Sequence, residues 1–207
     1  MEISVKKKSF IESDAFAKVL AEDVAQAKQR MENEPSDSHR REFVRTTYSA
    51  IEAQLWQLKM YALKNVLDKK TASIHELSAL KEESYGINDK GEVYIQPKGH
   101  SLKLGLRLVL SILKKYGNPI QVDFGSVDWK NIDDALKIRN RVTHPKSMLD
   151  ISVTQEEAER CHLAFLYVNN ILITAILGSV LVAIHEAANN LSSTSKGSFF
   201  VGHHAEI

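Results

Sequence analysis

The chain has one cysteine in 207 residues, Cys161, so no disulfide can form within it and a reducing compartment suits it. Cys161 lies inside an apolar helical pattern and reads as inert core. Glycine is thin as well. Of nine glycines, Gly86, Gly91 and Gly99 are too scattered to build a phosphate-cradling loop. Net charge is nearly absent, a formal +1, so no global field draws nucleic acid and any such contact must rest on local patches. Two candidates are Lys137, Arg139, Arg141 and Lys146, close in sequence, and the group Arg40, Arg41 and Arg45; runs of this kind are also ordinary solvated faces. The opening MEISVKKKSFIESD lacks an apolar core of signal-peptide length, so secretion is not expected and the chain is assigned to the cytoplasm. Asp123, Asp128, Asp133 and Asp134 match no metal-ligand spacing, and His75, His100, His162 and His185 are isolated. His203 and His204 fall in a Gly/Ser-rich tail, expected to be flexible over about 192–207. Capping and solvent exposure account for the aspartates, and neither a metal nor a cofactor is expected.

What is there is helical. A charged fraction of 26% and a hydrophobic fraction of 43% suit one soluble domain with a sizeable core. After a polar lead holding Lys6, Lys7 and Lys8, the stripe Phe16, Leu20, Val24, Ala27 and Met31 predicts a helix from about Ser13 to Asn33, stopped by Pro35. A second, long helix follows caps at Ser36 to Ser38 and reaches about Asp68. Its stripe of Val44, Tyr48, Ile51, Leu55, Leu58, Ala62 and Val66 makes it the central core helix, with Trp56 and Met60 off that stripe. A short helix over Ser73 to Lys81 leads into a β-hairpin around Asp89-Lys90-Gly91, within an insertion spanning about 83–100. Ser101 to Tyr116 is apolar on more than half its circumference through Leu104, Leu108, Ile112, Leu106, Leu110 and Leu113. It should be buried, and Gly117 and Pro119 end it. Asp128 is the candidate N-cap of the next helix, Trp129 to His144, and Thr154 to Glu157 form a capping box for the last. From Cys161 to Ile184 that last helix carries no Asp, Glu, Lys or Arg, long enough to span a bilayer. Asn169, Asn170 and Thr174, an acidic flank and the lack of a basic cluster argue instead for burial by its own domain and a second subunit. The fold class is all-α, a bundle of about five main helices with a small β-hairpin insertion.

One stretch carries chemistry. In IDDALKIRNRVTHP, Ile132 to Pro145, the apolar residues give an amphipathic helix, and Arg139, Asn140 and His144 sit at its end. Eight arginines and eight histidines predict an Arg with a His five positions on about 0.3 times by chance; adding Asn after the Arg lowers this to about 0.02. On a straight helix Asn140 and His144 lie one above the other while Arg139 and His144 are about 140° apart. Arg139 and His144 can share a ligand if the helix ends at His144, or if a second chain faces them. A surface arginine, a helix-terminal asparagine and a histidine suited to a helix C-terminus would give the same letters.

The R-N-x-x-x-H pattern of Arg139, Asn140 and His144, on a late helix of a small all-helical chain, resembles the HEPN superfamily (higher eukaryotes and prokaryotes nucleotide-binding) over about Trp129 to Lys146. The resemblance implies a metal-independent endoribonuclease acting at a composite site formed by a homodimer, in a toxin–antitoxin or antiviral-defence role, with RNA and an antitoxin or other protein as partners. Under it, His144 moves a proton near neutral pH, Arg139 stabilises charge on the phosphorane, and Asn140 orients the histidine or holds the phosphate. Arg141, Lys146 and Lys137 are weaker candidates for the RNA backbone. Two other readings stay open: a non-catalytic helical module binding a nucleotide, RNA or protein, and a membrane-associated effector whose last helix inserts.

Overall fold

Nothing between residues 2 and 33 stops a helix, neither proline nor glycine, and α1 (Glu2–Asn33) runs the whole way. The expected polar lead is therefore helical and the start at Ser13 is corrected; extending an existing helix needs no second nucleus. The computed structural model describes residues 2–69, 72–116 and 120–197, with side chains over 15–67 (residue 17 apart), 72–116 and 120–178. Val24, Ala27 and Met31 of α1 are buried, Leu20 is half-buried and Phe16 is 48% exposed.

The chain continues through α2 (Asp37–Lys69), α3 (Ile74–Leu80), the strands β1 (Glu83–Ile87) and β2 (Val93–Pro97), α4 (Leu102–Lys115), α5 (Val127–Thr143), a 3-10 turn (Leu149–Ile151) and α6 (Gln155–Gly197). Among the described residues it is an all-α fold of six helices carrying one small antiparallel hairpin. Every member of the α2 stripe is buried, and α2 packs against all five other helices. Glu157 donates its backbone N–H to Thr154 Oγ1 at 3.1 Å and its carboxylate takes the Thr154 N–H at 3.0 Å, so the capping box that opens α6 is made. The cap of α5 is Ser126 rather than Asp128: its hydroxyl accepts the Trp129 N–H at 3.2 Å, and Asp128 lies inside the first turn. There a carboxylate still complements the helix dipole.

In the hairpin, Glu83 pairs with Pro97 and Ile87 with Val93, and Gly91 takes the left-handed φ of +78° that its turn requires. At Gly86 a Cβ would lie 2.6 Å from the Tyr94 ring, so a larger residue there requires that exposed ring to swing aside. One burial expectation needs correction. α4 packs on α2 and α3 through Leu102, Leu106, Val109, Leu110, Ile112 and Leu113, but Leu104 is 60% exposed and Leu108 only half-buried. α6 buries Ala158, Cys161, Ala164, Phe165, Val168, Ile171, Leu172 and Ala175, while Leu163, Leu166, Ile173 and Leu177 stand exposed on its outer face. Helical backbone persists to Gly197, into the expected tail. Residues 198–207, with His203 and His204, lie outside the described residues, as do Gly117 and Pro119.

Candidate functional site

α5 runs back along α2 in the opposite direction. Arg45 of α2 donates to the Val142 carbonyl at 3.0 Å, and Arg139 of α5 lies against Tyr48 and Glu52. The Arg139 guanidinium sits 4.8 Å from the Tyr48 ring centroid, donates to Asn140 Oδ1 at 3.0 Å and approaches Glu52 at 3.8 Å. Such a stacked cation is worth about 0.5–1 kcal/mol where exposed, and the half-open Glu52 pair adds little. Burial, with help from Glu52 and against Arg139, pushes the Tyr48 hydroxyl up to about 12, so it stays protonated.

α5 ends at Thr143. His144 is its C-cap at φ −125°, ψ 59°, and keeps one helical bond from its N–H to the Asn140 carbonyl at 3.0 Å. The following proline disfavours helical backbone at this position. Ending the helix here meets the first of the two conditions under which Arg139 and His144 can face one ligand. Asn140 turns its side-chain oxygen to Arg139, and the His144 ring is exposed.

The backbone that follows is held by arginines. Arg40 donates to the Val153 carbonyl at 2.5 Å and Arg41 to Ile151 at 2.9 Å. Arg141 donates to Leu149 at 2.9 Å and Ser152 at 2.6 Å while pairing with Glu157 at 2.6 Å. Asp150 closes the turn by accepting the Lys146 N–H at 2.8 Å and the Ser147 hydroxyl at 2.9 Å, bonds that hold its carboxyl below the usual range. The group Arg40, Arg41 and Arg45, a candidate nucleic-acid patch by sequence, is thus turned to main-chain carbonyls. Arg141 is engaged likewise. Lys137 is 76% exposed and reaches Asp134 at 3.3 Å, and Lys146 is exposed.

No known family, curated protein or solved structure matches the chain. The site must be argued from its own geometry.

The aspartates are otherwise occupied. Asp133 pairs with Lys103, Asp134 with Lys137 and Arg160, and Asp123 bonds the Gly125 N–H. Among the described residues no three metal-ligating side chains converge. Burial pushes the Cys161 thiol up to about 12, which leaves it an unreactive core group.

Sequence reasoning missed a second polar cluster next to Arg139. Between α2, the base of the hairpin and the start of α4 lies a depression of about 220 Å³, walled by Leu55, Trp56 and Leu102. At its floor Lys59, 2% exposed, is hydrogen-bonded to Glu82, and His100 Nδ1 lies 3.9 Å from the same carboxylate. Burial alone would raise the Glu82 carboxyl, but the Lys59 ammonium outweighs it and holds the group below its usual range. Glu82 stands just past the end of α3 at φ +56°, where glycine is the easy residue. Gly105 permits the close approach of α4, since a Cβ there would meet Leu55 at 2.7 Å and Lys59 at 3.3 Å. The one available signal was a lysine amid the apolar α2 pattern, together with Trp56 off the main stripe.

Proposed function

We propose that this chain is a metal-independent endoribonuclease of the HEPN kind, cytoplasmic and dimeric, with a toxin or antiviral-defence role. The observation that carries the reading is the end of α5 at His144: it frees the imidazole from the helical track one turn beyond a guanidinium already oriented by Asn140 and Tyr48.

The chemistry follows from these groups. The substrate's own 2′-hydroxyl attacks phosphorus, the bond to the 5′-oxygen breaks, and one proton is removed while another is delivered. Histidine titrates near 6.5 and does either job at neutral pH; two copies of His144, one from each chain, supply one proton transfer each. Arg139 neutralises the phosphorane oxygens, preferring two parallel hydrogen bonds. Lys137 and Lys146 are exposed on either side of the motif and suit the RNA backbone, whereas Arg141 acts on the loop. A second chain is supported by the exposed Leu163, Leu166, Ile173 and Leu177 of α6, since apolar surface of this kind marks an interaction face.

Purified protein should cut single-stranded RNA in EDTA and spare DNA, which lacks the nucleophile. Light scattering at micromolar concentration should give a dimer. The competing reading, a binding module, draws on the pairing of Arg139 with Glu52 and Asn140. It predicts no cleavage, and RNA affinity that falls with Arg139→Ala but hardly with His144→Ala. Metal-dependent cutting, or cutting untouched by His144→Ala, sinks the proposed mechanism.

A further inference from the structure

The face of α2 against which Arg139 of α5 packs does not stop there. Tyr48, Glu52, Trp56 and Lys59 follow at helical spacing and share one side of the helix. Arg139 covers Tyr48 and stands 3.8 Å from Glu52, and Glu52 is also the near wall of the depression. A phosphate on Arg139 and a group inside the depression are therefore neighbours, one or two helical turns apart at about 5.4 Å each. That is the scale of a single nucleotide.

Three properties of the depression restrict what enters it. The first is size. About 220 Å³ lies below the roughly 300–1,000 Å³ usual for drug-sized ligands and suits one ring system. The second is charge. Lys59 is committed to Glu82, and the only cation near Glu52 among the described ion pairs is Arg139 outside the depression, so a second anion inside it is unwelcome while N–H donors are favoured. The third is surface. Leu55, Trp56 and Leu102 supply apolar walls, and an indole offers a stacking face to a flat π-system.

Against this stands an unfilled hydrogen-bonding group. His100 Nδ1 is buried without a hydrogen-bond partner, beyond bonding distance of Glu82 at 3.9 Å. Buried polar atoms are rarely left so, and since this one is closed to solvent, a ligand completes it only by a turn of the His100 ring into the depression that the residue lines.

We propose that the depression receives one unstacked nucleobase of the RNA whose phosphate Arg139 holds, and that guanine fits it best; the proposal rests on the ribonuclease reading for the polymer to which the base belongs. Among the four bases guanine alone presents two adjacent donors, N1–H and N2–H, which an ionised Glu52 accepts side by side. Adenine and cytosine each set a ring-nitrogen lone pair beside one donor, and uracil flanks its one donor with carbonyls, so each meets the carboxylate with a repulsive partner. His100 is then free to address an acceptor on the base, and Trp56 to stack on its face.

The test is a calorimetric titration of the full chain with the four nucleoside 3′-monophosphates, followed by Glu52→Gln and Trp56→Ala, both checked for folding by circular dichroism. Guanosine 3′-monophosphate should bind at least about tenfold tighter than the other three. Glu52→Gln should erase that preference, because an amide sets an NH2 donor beside its one acceptor oxygen and cannot take two donors side by side, while Trp56→Ala should weaken all four. Equal binding of the four, no binding of any, or a preference that survives Glu52→Gln overturns the proposal, and the wild-type titration decides it even if a variant fails to fold. Protein that cuts RNA but binds the four alike refutes the base site alone. Protein that prefers guanosine 3′-monophosphate but cuts nothing refutes the nuclease and leaves the base site standing.

Discussion

The two polar clusters that flank Arg139 are built in opposite ways. At the end of α5, arginines turn chiefly to main chain: Arg40, Arg41, Arg45 and Arg141 bond carbonyls between Val142 and Val153, with Asp37 and Glu157 as second partners of Arg40 and Arg141, and the His144 ring is left in solvent. In the depression, charge is spent on charge. Lys59 is buried against Glu82, with His100 beside them. The first arrangement fixes a path, and losing one arginine releases carbonyls that water can satisfy. The second fixes side chains, and removing one leaves its partner without compensation.

Substitutions should separate the two, and the largest effect belongs to the exposed side. His144→Ala should lower RNA cleavage by about 10²–10⁴ with almost no change in thermal midpoint. Leu55→Ala, in the buried stripe, should cost about 2–5 kcal/mol in denaturant unfolding. If those stability costs came out reversed, His144 would be a packing residue. Next, Lys59→Met should cost about 3 kcal/mol, and adding Glu82→Gln should recover part of it by removing the unpaired carboxylate. A double variant no better than the single would break the comparison.

Arg141→Ala comes third, at about 1 kcal/mol of stability, because the released carbonyls lie near solvent. Its effect on cleavage should exceed that of Lys137→Ala, since it loosens the segment that begins at His144. Similar losses for the two would return Arg141 to the role of a backbone contact.

The smallest effect concerns Glu76, outside both clusters. Hydrogen bonds from Lys115, the Ser73 N–H and Tyr116 hold its carboxyl at about 2, below the ordinary 4.5. A depressed folded pKa stabilises above the unfolded value and loses that contribution as pH falls through the folded one. The stability gap between wild type and Glu76→Gln should therefore be full at pH 5 and close towards pH 2. A gap that ignores pH would assign it to packing.

Where a structural choice was local, the sequence declared it. The three-and-four spacing of Val44 to Val66, the Thr154 to Glu157 box and the stop before Pro145 each depend on residues a turn or two apart, and each is made. The start of α1 was misjudged because the apolar stripe ends before the helix does. Ser126 was passed over for Asp128 because both are good caps two positions apart. The site was half legible. Arg139, Asn140 and His144 are neighbours in sequence, but the carbonyls that absorb Arg40, Arg41 and Arg45 lie 97 to 113 positions away. No periodicity reports such a distance. The Lys59, Glu82 and His100 cluster was hidden for the same reason, its members contributed by a helix, a helix-to-strand corner and a strand-to-helix link.

Residues 143–149 have the look of a protease target: exposed in every position, between two helices, with a lysine at 146. Exposed connections are where nicking concentrates, but a protease must draw several residues into its own cleft, which demands local opening. Here opening would strip arginines from the carbonyls of Leu149, Ile151, Ser152 and Val153 at once. The clamp thus makes this loop resistant to digestion despite its accessibility, and a chain lacking it would first be cut beside His144.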